Sequence, residues 1–327
     1  MKKNSIKGKK TGGELVLDIF KVFFVLLVSI VCVYPFWNIF IISINDGQDA
    51  LRGGLYFWPR VFTLENYQEI LRRSEFVRAI GVTVLRTLIG TPLVVLVTSM
   101  LAYVLSRSEL LGKKFWTLMF IFTMYFSGGM VPYYLQLKNL GMLDHFIVYI
   151  IPGMLNVYYM ILIRSYIYGI PESLVESAKL DGANDLWVYG RIILPLSKPV
   201  VMTIVLFASI GHWNAWFDSR LYTNSMNLKT LQLVLVEILN QFQTSGTNGA
   251  TLAQRAQMMS GVTQKSVQMA AVMVATIPII CVYPFCADIL FNGNYDRGGK
   301  SLRIKTIHIR LKFYAGRTGR MRFSRFN

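Results

Sequence analysis

Carboxylates are scarce in this sequence, 17 Asp and Glu against 34 Lys and Arg in 327 residues, and its six longest apolar runs contain none. An ion-coupled carrier usually keeps an acidic side chain within the membrane to bind its coupling ion, despite the cost. The absence weakens a secondary-transporter reading. Histidine and cysteine are equally sparse, three of each. Cys32, Cys281 and Cys286 lie inside apolar runs without C-x-x-C spacing, which predicts small buried hydrophobes. His145, His212 and His308 are scattered, so no metal site is expected. A membrane-embedded transferase would need clustered acids, histidines or metal spacing, and none is found. Charged residues make up only 16% of the chain, against about 25% in soluble domains.

What is present is apolar sequence in blocks. Hydrophobic residues are 54% of the chain and mean hydropathy is +0.44. The runs are Val22–Asn45, Thr87–Leu105, Phe115–Leu137, Phe146–Ile163, Pro199–Phe217 and Val267–Cys286. Each is near the ~20 residues that cross a bilayer as helix. The third contains SGGMVP and is expected to bend or unwind near Gly128–Pro132. The first is longer than the apolar core of a signal peptide and is read as a retained span. The predicted fold is all-α: a polytopic membrane protein with six transmembrane helices.

Six lysines lie in Met1–Lys21 and ten Lys/Arg in Gly293–Asn327. Basic ends beside membrane spans read as cytoplasmic anchors on anionic lipid rather than as a nucleic-acid surface. Both termini are therefore expected inside. Ser106–Lys114 and Arg164–Lys198 are then cytoplasmic, and Asp46–Arg86, Lys138–His145 and Asp218–Ser266 are outer loops. Three stretches follow: residues 1–21 as a basic cytoplasmic N-terminus, 22–291 as the permease domain, and 292–327 as a basic tail of unclear role. NYDRGGKS at Asn294–Ser301 resembles a phosphate-binding loop only superficially. Its first position is Asn294, and it follows a span rather than a strand.

One cytoplasmic stretch stands out. ESAKLDGANDLWVYGRIILP, Glu176–Pro195, is polar and broken by Gly182 between two apolar runs. Ser173 and Glu176 have capping-box spacing. A helix begun there would run about eight residues, roughly 12 Å, and stop at Gly182, which takes a left-handed conformation cheaply. Asn184 or Asp185 can cap a second helix through Trp187–Ile193, with Pro195 and Pro199 returning the chain to the fifth span. Leu174, Ala178 and Leu180 are too few to form a core alone, so the element needs a partner surface or rests on the membrane.

The pattern resembles the EAA motif of binding-protein-dependent ABC importer permeases: E-A-A, then D-G-A, then I-x-L-P. Glu176, Ala178, Asp181, Gly182, Ala183, Ile192, Leu194 and Pro195 match, and Ser177 replaces the first alanine. FSGGMVPYYLQLKNLGMLD, LPLSKP and GHWNAWFD resemble the carbohydrate branch, with its maltose-type and LplC-type oligosaccharide permeases. The resemblance implies that Glu176–Ala183 is a coupling helix seated in a cleft of a cytoplasmic ATPase subunit. Glu176 and Asp181 would pair with basic groups there, and Gly182 would allow close backbone approach.

It further implies a second permease subunit, two ATPase subunits that use ATP and Mg, an extracytoplasmic binding protein and an oligosaccharide substrate. The chain itself would be no enzyme, bind no cofactor, metal or nucleic acid, and reside among lipid in the bacterial inner membrane. Candidate substrate-path residues are Trp213 and Asn214, for stacking and hydroxyl binding, and Ser127, Gly128 and Tyr133. Tyr134, Tyr158, Tyr159, Trp216 and Phe217 serve equally well as interfacial anchors. A permease for a non-sugar solute remains the alternative within the same machinery. The tail after Phe291 departs from the family pattern, whose members end soon after the sixth span.

Overall fold

A computed structural model of the chain describes residues 12–245 and 262–295. Among these residues there is no β-strand; one isolated antiparallel bridge joins Asn45 and Phe62. Helices α1 (Gly12–Ser43), α2 (Gly47–Leu51), α3 (Glu65–Arg72) and α4 (Ser74–Ser106) come first. Next are α5 (Lys113–Tyr125), α6 (Met130–Asn139) and α7 (Val157–Ile167). The stretch expected from sequence to be cytoplasmic carries α8 (Ser173–Leu180), α9 (Asp185–Val188) and α10 (Leu194–Leu196). Last are α11 (Lys198–Asn214), α12 (Phe217–Tyr222), α13 (Leu231–Ser245) and α14 (Gln264–Tyr295).

Three helical stretches, Val16–Ser43, Ser74–Ser106 and Gln264–Cys281, are long and apolar enough to cross a membrane. Two bent pairs could each serve as one more. The third apolar run is one such pair: α5 and α6 meet at 110° across Phe126–Gly129. Gly129 has φ +91°, outside the range a side-chain-bearing residue adopts cheaply. The second pair is Asp185–Leu196 with α11, bent by 83° at Ser197.

The fourth run, Phe146–Ile163, is not one helix. A single 3-10 turn covers Phe146–Tyr149, and α7 begins only at Val157. Pro152 lacks the N–H a helix needs, and Asn156 starts the new helix by accepting from the Tyr159 N–H at 3.0 Å. Other boundaries also move. α1 begins at Gly12, ahead of the first apolar run, and α4 reaches back to Ser74 through a region expected to be loop. The tail and most of Gln241–Gln257 lie outside the described residues.

The chain divides into two compact units. The first comprises Met1–Thr83 and Ala215–Pro278. There Asn66 Nδ2 donates to the carbonyls of Ser43 and Asn45, while its Oδ1 accepts from Ser266 Oγ at 2.6 Å. Asp49 accepts from Asn45 and Arg60, and those bonds hold its carboxyl below the usual range despite partial burial. Between Val16 and Val33 the large apolar side chains of α1 are exposed. Cys32, in that stretch, and Cys281 are exposed too, contrary to the buried expectation. Among the described residues, none covers this face of α1.

The second unit comprises Val84–Asn214 and Ile279–Asn327. Its core joins Ala102, Tyr103 and Leu105 of α4, Met160, Ile163 and Ile167 of α7, and Ile204 of α11. Val175 and Ala178 of α8, with Val188, Tyr189 and Ile193 beyond the Gly182 turn, complete it.

Candidate functional site: a glycine-broken polar segment

Helix α8 sits on this core by one face. Val175 and Ala178 are buried, while Ser173, Glu176, Ser177 and Leu180 are exposed. At 100° per residue those four share the opposite side. Leu180 is 89% exposed and Leu186, beyond the turn, 69%. The stretch therefore presents two leucines and a carboxylate outward from a fixed base. Ala178 belongs to that base rather than to the outward face.

The expected capping box does not form. Ser173 is already helical, and its carbonyl accepts from Ser177 Oγ at 2.8 Å. Glu172 occupies the cap position, and its carboxylate accepts from Ser108 Oγ at 2.7 Å. The other end follows the sequence closely. Gly182 has φ +83° and bonds back to the Lys179 carbonyl. Ala183 N–H reaches the Ala178 carbonyl at 3.0 Å, completing the reversal. Asn184 Oδ1 accepts from the Trp187 N–H at 2.8 Å.

The second helix does not run regularly through Ile193. α9 ends at Val188 and a π-turn occupies Tyr189–Ile193, with Leu194 N–H bonded to the Tyr189 carbonyl. Pro195 cannot donate to residue 191, and its ring crowds that carbonyl. One wider turn absorbs the misfit. The turn also inserts Tyr189, whose hydroxyl lies 2.7 Å from Ser99 Oγ on α4. Ile193 is buried, and Ile192 and Leu194 are half-buried against the same core.

The substrate-path candidates fall on separate elements. Ser127 and Gly128 occupy the α5–α6 break, where Ser127 Oγ accepts from the Gly129 N–H. Tyr133 is exposed on the second turn of α6. Trp213 and Asn214 end α11, half-buried and exposed respectively, so Trp216 and Phe217 lie beyond that helix. Among the described residues no group of three His, Cys, Asp or Glu could hold a metal ion.

Two polar clusters escaped sequence reasoning. Lys179 on α8 meets Glu109 of the α4–α5 loop and Asp185 of α9. In the other unit, Lys229 bonds Glu237 at 2.7 Å and Glu75 at 3.0 Å. Lys229 and Glu237, with Arg220, Thr223, Asn224 and Met226, border a cavity of about 480 Å³. Glu109 and Lys179 are 70 residues apart and Glu75 and Lys229 are 154 apart, too far for any local spacing to announce them.

The glycine-broken polar segment is packed by one face against α4, an apolar helix of spanning length. The chain belongs to the family described as the binding-protein-dependent transport system inner membrane component, whose model matches residues 67–293. It is 34% identical to Protein LplC of Bacillus subtilis (strain 168) over 84% of this chain and 92% of that one. It is 35% identical to the polygalacturonan/rhamnogalacturonan transport system permease protein YtcP of the same organism, over 80% and 90%. Among solved structures it is similar to a chain of a bacterial ABC transporter involved in import of the acidic polysaccharide alginate. That match has a TM-score of 0.79 at 25% identity and covers 86% of this chain and 99% of that one. The importer-permease expectation stands: the chain is a transport permease of the ABC importer family, not a member of an enzyme family.

Proposed function

We propose that this chain is one of two permeases of an ATP-driven importer in the bacterial inner membrane. It moves an oligosaccharide delivered by an extracytoplasmic binding protein. It spans the membrane six times with both ends inside, and the stretch Glu176–Pro195 faces the cytoplasm. Two ATPase subunits, which bind ATP and Mg, grip the outward face of α8. ATP binding closes them, α8 moves, and the path between the permeases opens outward; hydrolysis resets it. Glu176 and Asp181 offer charge to the ATPase, Gly182 lets the backbones approach, and Leu180 supplies the apolar anchor. Ser127, Gly128, Tyr133, Trp213 and Asn214 lie along the path.

The observation that carries this reading is the 89% exposure of Leu180 on a helix whose other face is core. An aliphatic side chain held out this way on a rigid base suits a pocket on a partner. The sugar assignment is supported by similarity to YtcP and to the alginate importer.

The test is extraction of the tagged chain from its native membrane in mild detergent, with mass spectrometry of what accompanies it. An ATPase and a second permease are expected, and Leu180→Ala should lower ATPase recovery by about tenfold. A chain that reproducibly emerges alone, from membranes that contain candidate ATPases, would sink the reading.

A further inference from the structure

The loop between α4 and α5 touches α8 near both ends. Ser108 Oγ donates to Glu172 Oε1 at 2.7 Å, at the helix start. Lys179 Nζ donates to both oxygens of Glu109, at 3.1 and 2.9 Å, in the last turn. Glu172 and Lys179 are seven residues apart, two helical turns, and so share a face. From Lys179 the contacts continue across the Gly182 turn. Asp185 Oδ1 lies 3.7 Å from Lys179 Nζ and accepts from the Tyr103 hydroxyl at 3.2 Å. Tyr103 stands in the last turn of α4, with the Arg107 guanidinium 5.7 Å from its ring centre. Arg107 also pairs with Glu109 at 3.5 Å. One cluster thus joins the end of α4, the loop, the end of α8 and the start of α9.

Stability does not account for this arrangement. Glu109 and Asp185 are well exposed, and exposed ion pairs add little to folding. Val175 and Ala178 already attach α8 to the core. Apolar contact, however, is non-directional. Two small side chains leave a short helix free to roll, whereas a two-pronged carboxylate–ammonium contact at one end and a hydroxyl–carboxylate contact at the other fix its rotation.

We propose that the Glu109–Lys179 contact, extended through Asp185 to Tyr103, is a positioning brace that makes the α4–α5 loop and α8 move as one body. A displacement applied to the outward face of α8 then reaches α4 directly, as well as through the longer route of α9 and α11. This inference rests on the coupling role proposed above.

The test uses the full chain purified together with the second permease and the ATPase subunits in lipid nanodiscs. A water-soluble carbodiimide converts a touching carboxylate and amine into an amide. The Glu109–Lys179 cross-link is quantified by peptide mass spectrometry, without nucleotide and after trapping with ATP, Mg and vanadate. Equal yield in the two states is expected. Lys179→Gln and Glu109→Gln should each co-purify with the ATPase yet raise its basal hydrolysis, by about two- to fivefold. Lys179→Arg should restore the parent rate, and the double Gln variant should match either single one. A cross-link lost on trapping overturns the brace, as does basal hydrolysis unchanged in both single variants. Absence of any co-purifying ATPase would instead overturn the proposed function, so the two failures are distinct.

Discussion

Gly90 and His212 meet so closely that a β-carbon on Gly90 would stand 2.6 Å from Nε2 of the imidazole. On the other side of the ring, Arg86 Nε donates to His212 Nδ1 at 3.4 Å. Arg86 is only 4% exposed, and its guanidinium lies 4.7 Å from the Tyr149 ring centre. A bulky ring, a buried cation and a bare backbone thus fit together between α4 and α11.

Gly90→Ala should consequently lower the thermal stability of the purified chain, by about 1–3 kcal/mol, as overpacking does. The discriminating measurement adds His212→Ala. In that background Gly90→Ala should cost much less, because the clashing ring is gone. Equal losses in both backgrounds would show that the close approach does not matter.

Gly182 is a different case, since nothing lies within 4 Å of the β-carbon it lacks. Its φ of +83° is the whole constraint. Gly182→Ala should cost about 1–2 kcal/mol from left-handed strain alone, and Gly182→Asn less, because asparagine tolerates that region better. Thermal unfolding of the three proteins in one detergent would measure this. An alanine variant as stable as the parent would mean that the turn relaxes.

Lys229 makes the third prediction. Burial would push its ammonium down, but bonds to Glu237 and Glu75 outweigh that and raise its pKa above the ordinary 10.5. The contribution of a group raised on folding is complete below the unfolded value and disappears as pH rises through the folded one. The stability gap between parent and Lys229→Met should therefore be flat from pH 7 to 10 and close only above 10.5. At neutral pH the substitution should cost about 1–3 kcal/mol, because it leaves Glu75 and Glu237 without their shared cation. A gap that already closes near pH 8 would contradict the pairing.

Local grammar was readable without coordinates. The stop at Gly182, the cap at Asn184 and the break near Gly128 follow from conformational limits that single residues impose on their neighbours. So does the apolar character of the helices, since composition sets which solvent a surface tolerates. Where sequence reasoning failed, a tertiary contact or a local competitor had won. Ser173 was free to cap α8, yet Glu172 took that position and turned its carboxylate to Ser108. The run Phe146–Ile163 was apolar enough for one helix, but Pro152 and Asn156 divided it. Pro195 was expected to help return the chain to the fifth span, and the widened turn before it was not foreseen.

The order of residues alone determined that this chain would be helical and apolar in blocks, with one short polar segment set between two of them. Apolar blocks and a motif of fixed spacing are properties of order along the chain. Only the tertiary structure decided which side of that segment is buried and which is exposed. It also joined Glu109 to Lys179, seventy residues away, and His212 to Gly90. Those relations depend on how separate helices pack in space, and spacing along the chain does not encode which distant side chains will meet.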